Sequence, residues 1–200
     1  MHSPPLSSRS QVAERHAPKV VALIGLPGSG KTTLGRILAR RLGLPFVDSD
    51  QRIEQHLGCS IRSYFEAQGE AAFRDIEAKV LHEITGEAPC VLSTGGGMVL
   101  RPENRARLRA TCQVIYLQAT PDDLFLRLRG DLKRPLLQVA DPLAKLRALH
   151  DERAPLYREA AHITVDTGRR KAHSVVNMLA AQLELEGLST STPPAPPSPS

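Results

Sequence analysis

Residues Val20 to Leu42 read VVALIGLPGSGKTTLGRILARRL, and this stretch decides the fold. It opens as a short apolar run, typical of a buried strand, and closes with Leu34, Ile37, Leu38 and Leu42 on one face of a helix. Between the two lies GLPGSGKT, which matches the pattern G-x-x-x-x-G-K-S/T without deviation. A buried strand before the pattern and a helix after it predict a phosphate-binding loop.

Each residue type in this loop has a chemical reason. Gly25, Gly28 and Gly30 let the backbone curl so that successive N–H groups point at a phosphate, and the following helix aims its positive end at the same point. Lys31 can reach the outer phosphates, and the Thr32 hydroxyl can ligate Mg²⁺. A glycine-rich turn without a ligand is the alternative. We expect the loop to bind a nucleoside triphosphate with magnesium through Gly28, Ser29, Gly30, Lys31, Thr32 and Thr33.

Length, charge and cysteine content indicate a single globular domain and argue against a membrane-spanning or disulfide-rich protein. At 200 residues the chain is long enough for one domain with a sizeable core, and no apolar run approaches the roughly 18 residues of a membrane span. The net charge of +5 is spread along the chain, so a small acidic ligand explains it as well as a nucleic acid does. Cys59, Cys90 and Cys112 fit neither a zinc pattern nor a secreted disulfide scaffold, and we expect Cys90 and Cys112 to be buried. A cytoplasmic protein is predicted.

The chain organisation predicts one α/β domain at about residues 19–187, between a disordered tail at 1–18 and a Pro/Ser-rich tail at 188–200. Helical patterns alternate with apolar runs, which indicates a parallel sheet with helices on both faces. The predicted strands are 20–25, 44–48, 90–94, 112–117 and 162–166.

Three further helices have recognisable signals. One is predicted from Glu70 to about Thr85, where apolar residues recur at helical spacing. Another begins at TPDD, where Thr120 can cap the helix and proline suits its first position. The third begins at DPLAKL, with Asp141 in the same capping role.

Two carboxylates follow the second strand. Asp48 and Asp50 are predicted at the end of that strand, where residues two apart project from the same face. Open α/β sheets bind ligands at the carboxyl ends of their strands. One carboxylate would then order the water shell of a metal while the other contacts an acceptor hydroxyl. The alternative is a turn and a helix cap.

Two other stretches contain candidate acceptor contacts. Arg74 and Glu77 lie three apart on a helix, either as an exposed ion pair or as a buried carboxylate that positions an arginine. The glycines Gly95, Gly96 and Gly97 form either a side-chain-free wall approached closely by another group, or a tight turn.

A basic segment in the C-terminal half of the chain is typical of a mobile flap. RLRGDLKRPLLQVADP combines positive charge with glycine and proline, and predicts a flap at about residues 129–141 that carries Arg134 to the transferring phosphoryl group. ERAPLY places Arg153 before a proline. Solvated helix ends explain both arginines equally well.

Over about residues 20–185, the chain closely resembles the shikimate kinases in the order and spacing of six motifs. These motifs are GLPGSGKT, VDSD, GEAAFRDIE, STGGG, KRPLL and ERAPLY. The resemblance implies a three-layer α/β/α fold of nucleoside-monophosphate-kinase type, with a five-stranded parallel sheet in the order 2-3-1-4-5, substrate-binding helices and a mobile lid. It implies phosphorylation of the 3-hydroxyl of shikimate by MgATP, a step towards chorismate and the aromatic amino acids. It also implies a monomer without a nucleic-acid or membrane partner.

The resemblance assigns the acceptor contacts residue by residue. Asp50 corresponds to the family aspartate at the acceptor hydroxyls, and Arg74 and Arg153 to the pair that clamps the carboxylate. The same pocket is lined by Gly95, Gly96 and Gly97.

The nucleotide contacts follow in the same way. Thr32 and Asp48 correspond to the residues at magnesium, and Arg134 to the lid arginine at the phosphates, where it joins Lys31 as a catalytic residue. The residues that correspond to those flanking adenine are Arg127 and Arg170.

Two alternatives remain open at the level of sequence. A related kinase for another polyol acid or a nucleotide would share the phosphate loop but should lack the combination of VDSD, FRDIE and STGGG. A ligand sensor without catalysis is opposed by the presence of Lys31, Asp50 and Arg134.

Overall fold

A five-stranded parallel sheet forms the centre of the computed structural model, which describes residues 20–129, 139–168 and 170–186. Its strands are β1 (Val20–Ile24), β2 (Phe46–Asp48), β3 (Cys90–Ser93), β4 (Cys112–Gln118) and β5 (Ile163–Asp166). Their order across the sheet is β2-β3-β1-β4-β5. The predicted fold class and strand order are therefore confirmed.

The first strand occupies the middle of the sheet because both of its faces are apolar. All five residues of β1 are buried, and the strand pairs with β3 on one side and β4 on the other. Val20 is level with Cys90 and Cys112 across these pairings. The carboxyl ends of β1, β2 and β3 consequently meet at one edge, where the phosphate loop begins.

Helices cover both faces of the sheet. They are α1 (Lys31–Leu42), α2 (Ser49–Leu57), α3 (Ile61–Gly86), α4 (Pro102–Thr111), α5 (Pro121–Leu128), α6 (Pro142–Ala160) and α7 (Ala172–Leu185). One apolar layer joins the sheet to α1 and α7, and a second joins it to α3, α4, α5 and α6. The result is the three-layer α/β/α arrangement expected from the sequence.

The predicted helix starts agree with the structure where a cap was visible. Thr120 accepts a hydrogen bond from the Asp123 N–H at 3.1 Å, and Asp141 accepts one from the Ala144 N–H at 2.9 Å. The helix predicted from Glu70 to about Thr85 is the second part of α3, which begins at Ile61 and is kinked at Gly69. Neither α4 nor α7 was predicted as a separate helix.

The cysteine predictions hold. Cys90 and Cys112 are buried and free, and burial raises the pKa of each thiol to about 11. Cys59 is exposed. Of the helices described, none is long and apolar enough to span a membrane. Residues 130–138, the larger part of the predicted lid, lie outside the described residues, as does Arg134.

Candidate active site

The phosphate loop adopts the backbone that its glycines predict. Gly28 and Gly30 have φ angles of 84° and 97°, a region that other residues rarely occupy. Space is also limited, since a Cβ atom on Gly28 would lie 2.9 Å from Leu128. The Lys31 ammonium donates hydrogen bonds to the Gly25 and Leu26 carbonyls at 2.8 and 3.0 Å. These contacts hold a positive charge against the inside of the loop.

A cavity of about 430 Å³ opens beside this loop. Most of its lining is polar, which is typical of a site for a charged ligand rather than an apolar one. Its lining includes Lys31 and Thr32 of the loop together with Asp48 and Asp50. The structure therefore brings the phosphate loop and both candidate carboxylates to one cavity.

Asp48 has two roles at the edge of this cavity. It caps α2, since its Oδ1 accepts from the Asp50 N–H at 3.1 Å, and its Oδ2 accepts from the Thr32 hydroxyl at 3.2 Å. The Ser93 hydroxyl lies 3.4 Å from the same Thr32 oxygen. The capping alternative is thus correct for Asp48, and its other carboxylate oxygen contacts Thr32, the second residue predicted at magnesium.

Asp50 is not on the strand, contrary to the prediction. The strand ends at Asp48, and Asp50 lies in the first turn of α2. Its side chain is open to the cavity but surrounded by protein elsewhere, and this burial raises the pKa of its carboxyl group, as does the Asp48 charge, while Lys31 lowers it. Asp50 nevertheless lines the cavity beside the phosphate loop, because the chain turns from β2 directly into α2.

The pair formed by Arg74 and Glu77 is buried. Glu77 is 1% exposed, and its Oε2 accepts from Arg74 Nη1 at 2.8 Å. Burial raises the pKa of Glu77, and the Arg74 charge opposes that shift. Glu70, largely exposed, accepts from the other terminal nitrogen of Arg74 at 3.1 Å. Arg74 is therefore held between two carboxylates, which excludes the exposed-pair alternative.

The glycine wall is closely approached by charged side chains. A Cβ atom on Gly95 would lie 2.6 Å from Asp50 Oδ1 and 3.4 Å from Glu77 Oε1. A Cβ on Gly97 would collide with the Arg74 guanidinium. The segment also turns, with the Met98 N–H donating to the Gly95 carbonyl at 3.2 Å. Both interpretations of the three glycines are consequently correct.

Two arginines of this region, Arg74 beside Gly97 and Arg153 near Glu77 and Tyr157, each have one hydrogen-bond donor without a partner. Across the described residues, the buried side-chain nitrogens without a hydrogen-bond partner are Arg74 Nε and Arg153 Nε. Arg153 Nε lies 3.8 Å from Glu152, which is too long for a hydrogen bond. A buried donor without an acceptor is costly, so the two nitrogens indicate a ligand that brings acceptor oxygens.

A second cavity of about 410 Å³ continues along the other side of the phosphate loop. Arg127 lines both cavities, and it donates hydrogen bonds to the carbonyls of Thr167 and Gly168. Arg170 lines this second cavity only. Both predicted adenine-flanking arginines thus line a cavity that the phosphate loop also lines.

Several residues at the site were not identified from the sequence. Ser93 approaches Thr32, and the buried Ser49 hydroxyl accepts from the Gly95 N–H at 2.8 Å. Tyr157 donates from its hydroxyl to the Gly96 carbonyl at 2.6 Å. No sequence pattern identifies Ser49 or Ser93. Tyr157 could have been identified, because it follows Arg153 by four residues and therefore lies on the same side of a helix.

Comparisons with known proteins agree with this geometry. A family model described as shikimate kinase matches residues 27–184. The chain belongs to the shikimate kinase family. Among its relatives, the shikimate kinase of Paracidovorax citrulli is 55% identical over 179 residues, which cover 88% of this chain and 96% of that protein. The shikimate kinase of Burkholderia pseudomallei is 53% identical over 168 residues, covering 84% and 91%.

Solved structures give the same result. Shikimate kinase from Acinetobacter baumannii, in complex with shikimate, has a TM-score of 0.78 and 42% sequence identity, and covers 86% of this chain and 95% of its own. A gluconokinase from Sinorhizobium meliloti, at 16% identity and a TM-score of 0.51, shares the fold alone.

Proposed function

We propose that this protein transfers the γ-phosphoryl group of MgATP to the 3-hydroxyl of shikimate, giving shikimate 3-phosphate and ADP. The observation that carries the proposal is the pair of buried, unpartnered Nε donors of Arg74 and Arg153, in a protein whose phosphate loop shares a cavity with Asp50. Shikimate kinases are the named relatives at 55% and 53% identity. A substrate with one carboxylate and several hydroxyls supplies the acceptors that these arginines lack.

The first part of the mechanism is binding and orientation. Lys31 and the loop N–H groups bind the outer phosphates, and Arg74 and Arg153 bind the carboxylate of the acceptor. Asp50 lines the cavity shared with Lys31, so its carboxylate can accept a hydrogen bond from the reacting hydroxyl and aim it at the phosphorus. In a loose phosphoryl transfer, such positioning contributes more to the rate than proton removal does.

The donors at the loop fit a magnesium ion. Thr32 and Asp48 present hard oxygen ligands, and the described residues contain no group of three or more His, Cys, Asp or Glu that could hold a metal by themselves. Mg²⁺ typically keeps several waters and takes only one or two protein ligands together with phosphate oxygens. When bound, the ion neutralises charge on the phosphates. Arg134, outside the described residues, is proposed to add a second positive charge.

A coupled ADP-release assay tests the function. The enzyme with MgATP is offered shikimate, gluconate, AMP or no acceptor, since gluconokinase shares the fold. We expect saturable release with shikimate only, lost in Asp50→Ala, while ATP binding measured by calorimetry persists in that variant. Release with gluconate in place of shikimate would overturn shikimate as the acceptor, and release with AMP, which has no carboxylate, would overturn the carboxylate clamp as well.

A further inference from the structure

Tyr157 links two parts of the acceptor site that are 61 residues apart in the sequence. Its hydroxyl donates to the Gly96 carbonyl at 2.6 Å, and the residue is fully buried. Its ring stacks on Tyr116 of β4, with centroids 5.1 Å apart and planes at 24°. Stacking and burial fix the ring, so the hydroxyl has one position.

The Gly96 carbonyl is the one that needs this partner. Gly95 and Gly97 use their carbonyls within the turn, accepting from the N–H groups of Met98 and Leu100 at 3.2 and 3.0 Å. In a planar trans peptide, the direction of a carbonyl sets the opposite direction for the next N–H. By holding the Gly96 carbonyl, Tyr157 therefore also fixes the direction of the Gly97 N–H, beside Arg74.

The same tyrosine is one helical turn from Arg153. Residues four apart lie on the same side of a helix, and burial raises the pKa of Tyr157 while the nearby Arg153 charge lowers it. Pro155 lies between them in α6 and has no N–H to donate, so this turn lacks one backbone hydrogen bond. The bond from Tyr157 to the Gly96 carbonyl gives this turn of the helix a contact with the glycine wall.

We propose that Tyr157 is a positioning residue for acceptor binding. It acts through Arg153 and the Gly96–Gly97 peptide. The bond to Gly96 holds α6, which carries Arg153, at a fixed distance from the glycine wall, and Arg74 lies beside that wall. The hydroxyl of Tyr157 itself does not touch the reacting atoms. This inference rests on the proposed function, because it concerns the binding of that acceptor.

Kinetics of Tyr157→Phe test the proposal, with Tyr116→Phe as the matched control. The first variant removes the hydroxyl and keeps the stacked ring, while the second removes the hydroxyl of the other ring and keeps the bond to Gly96. We expect KM for shikimate to rise about three- to tenfold in Tyr157→Phe, the loss typical of one buried hydrogen bond, with KM for ATP unchanged. Tyr116→Phe should leave both constants within about twofold.

A second arm tests the route through Arg153. In an Arg153→Lys background, Tyr157→Phe should raise KM for shikimate by less than it does alone, because coupled residues are not additive. An unchanged shikimate KM in Tyr157→Phe, equal rises in both KM values, or full additivity with Arg153→Lys would each overturn the proposal. Wild-type enzyme is assayed alongside, since absence of turnover with shikimate there would instead contradict the proposed function.

Discussion

At the scale of single residues, two charged side chains of the site lie so close to glycines that a larger residue there would displace them. Gly95 and Gly97 flank the same turn, but the first faces Asp50 and the second faces Arg74. The carboxylate at Asp50 and the guanidinium at Arg74 have different proposed roles, in phosphoryl transfer and in acceptor binding. Substitutions at the two glycines should therefore have different kinetic effects.

Gly97→Ala and Gly95→Ala form the first prediction. A methyl group on Gly97 must displace the Arg74 guanidinium, so KM for shikimate should rise about tenfold or more, the cost of a disturbed charged hydrogen bond. A methyl group on Gly95 must displace the Asp50 carboxylate, so kcat should fall by about tenfold or more. Steady-state kinetics with both substrates varied provides the measurement.

Gly96→Ala is the control for this pair. Its added Cβ would lie 3.2 Å from Pro27 and 3.7 Å from the Tyr157 hydroxyl, so it displaces neither charged group. We expect a smaller kinetic change at this position. Equal effects of all three substitutions would show that the turn is disturbed as a whole, and would contradict the separate roles.

Residue-scale chemistry was only partly predictable from the sequence. Some features depend only on residues close together in the sequence, so the sequence predicts them. These are the phosphate loop, the Arg74–Glu77 pair and the caps at Thr120 and Asp141. Asp50 was placed wrongly on the strand because Asp48 ends the strand and caps the next helix in a single step. The bond from Tyr157 to Gly96 joins residues 61 apart, so it depends on how α6 crosses the turn.

At the scale of elements, α3 is interrupted by a kink at Gly69. Gly69 has φ 80° and ψ 178°, a conformation essentially restricted to glycine, and it separates Ile61 from the part of the helix that carries Arg74. A Cβ atom there would meet nothing within 4 Å. The kink therefore depends on backbone freedom and not on packing.

Gly69→Ala should destabilise the fold by about 1–3 kcal/mol, the typical cost of forcing this backbone conformation on a residue with a side chain. The matched control is Gly86→Ala in the same helix, where the added methyl also meets nothing within 4 Å. Gly86 has no positive φ, and alanine there should be neutral or stabilise by up to about 1 kcal/mol. Urea unfolding of both variants measures the difference, and equal losses would contradict this account of the kink.

A histidine immediately before β5 has a pKa that depends on folding. His162 accepts a hydrogen bond through Nδ1 from the Val114 N–H at 3.0 Å, and partial burial and the Arg109 charge lower the pKa of the ring below 6.5. The unfolded chain therefore binds a proton more readily than the folded protein. Stability contributed by the neutral ring is present above pH 6.5 and is lost as the pH falls through the lower folded value.

His162→Asn should flatten part of this pH dependence. The amide oxygen of asparagine can accept from Val114 as Nδ1 does, but it does not take up a proton. The variant should lose less of its Tm than wild type between about pH 7 and pH 5. His173→Asn, at an exposed position of α7, should follow the wild-type curve. Parallel curves for wild type and His162→Asn would contradict the assignment.

At the scale of the whole molecule, the sequence predicted the sheet better than the helices around it. Apolar runs at 20–25, 90–94 and 112–117 identify strands because a parallel sheet buries both faces of each strand. Helix α4 has only Asn104 and Leu108 buried, and its other positions are mostly arginines and small residues, so its sequence shows no apolar stripe. Its position depends on polar contacts across the fold, which no local pattern specifies.

Arg105 is the residue through which α4 joins distant parts of the molecule. Its Nη1 donates to the carbonyls of Val99 and Leu100 at 2.9 and 3.2 Å, and its Nε donates to Glu159 of α6 at 2.8 Å. The side chain is 12% exposed, so solvent does not readily replace these partners. One guanidinium thus ties the segment after the glycine wall to the helix that carries Arg153.

Arg105→Ala should destabilise the protein by about 1–3 kcal/mol, because two carbonyls and a carboxylate lose their donor together. Arg62→Ala is the control: Arg62 forms a pair with Glu66 on one helix, 74% and 65% exposed, and its loss should leave stability nearly unchanged because solvent screens the pair. Urea titration followed by circular dichroism measures both. Since one lysine ammonium cannot match the planar fork of the guanidinium, Arg105→Lys should recover only part of the loss. Full recovery in that variant would mean that charge alone, without the two carbonyl contacts, holds the helices in place.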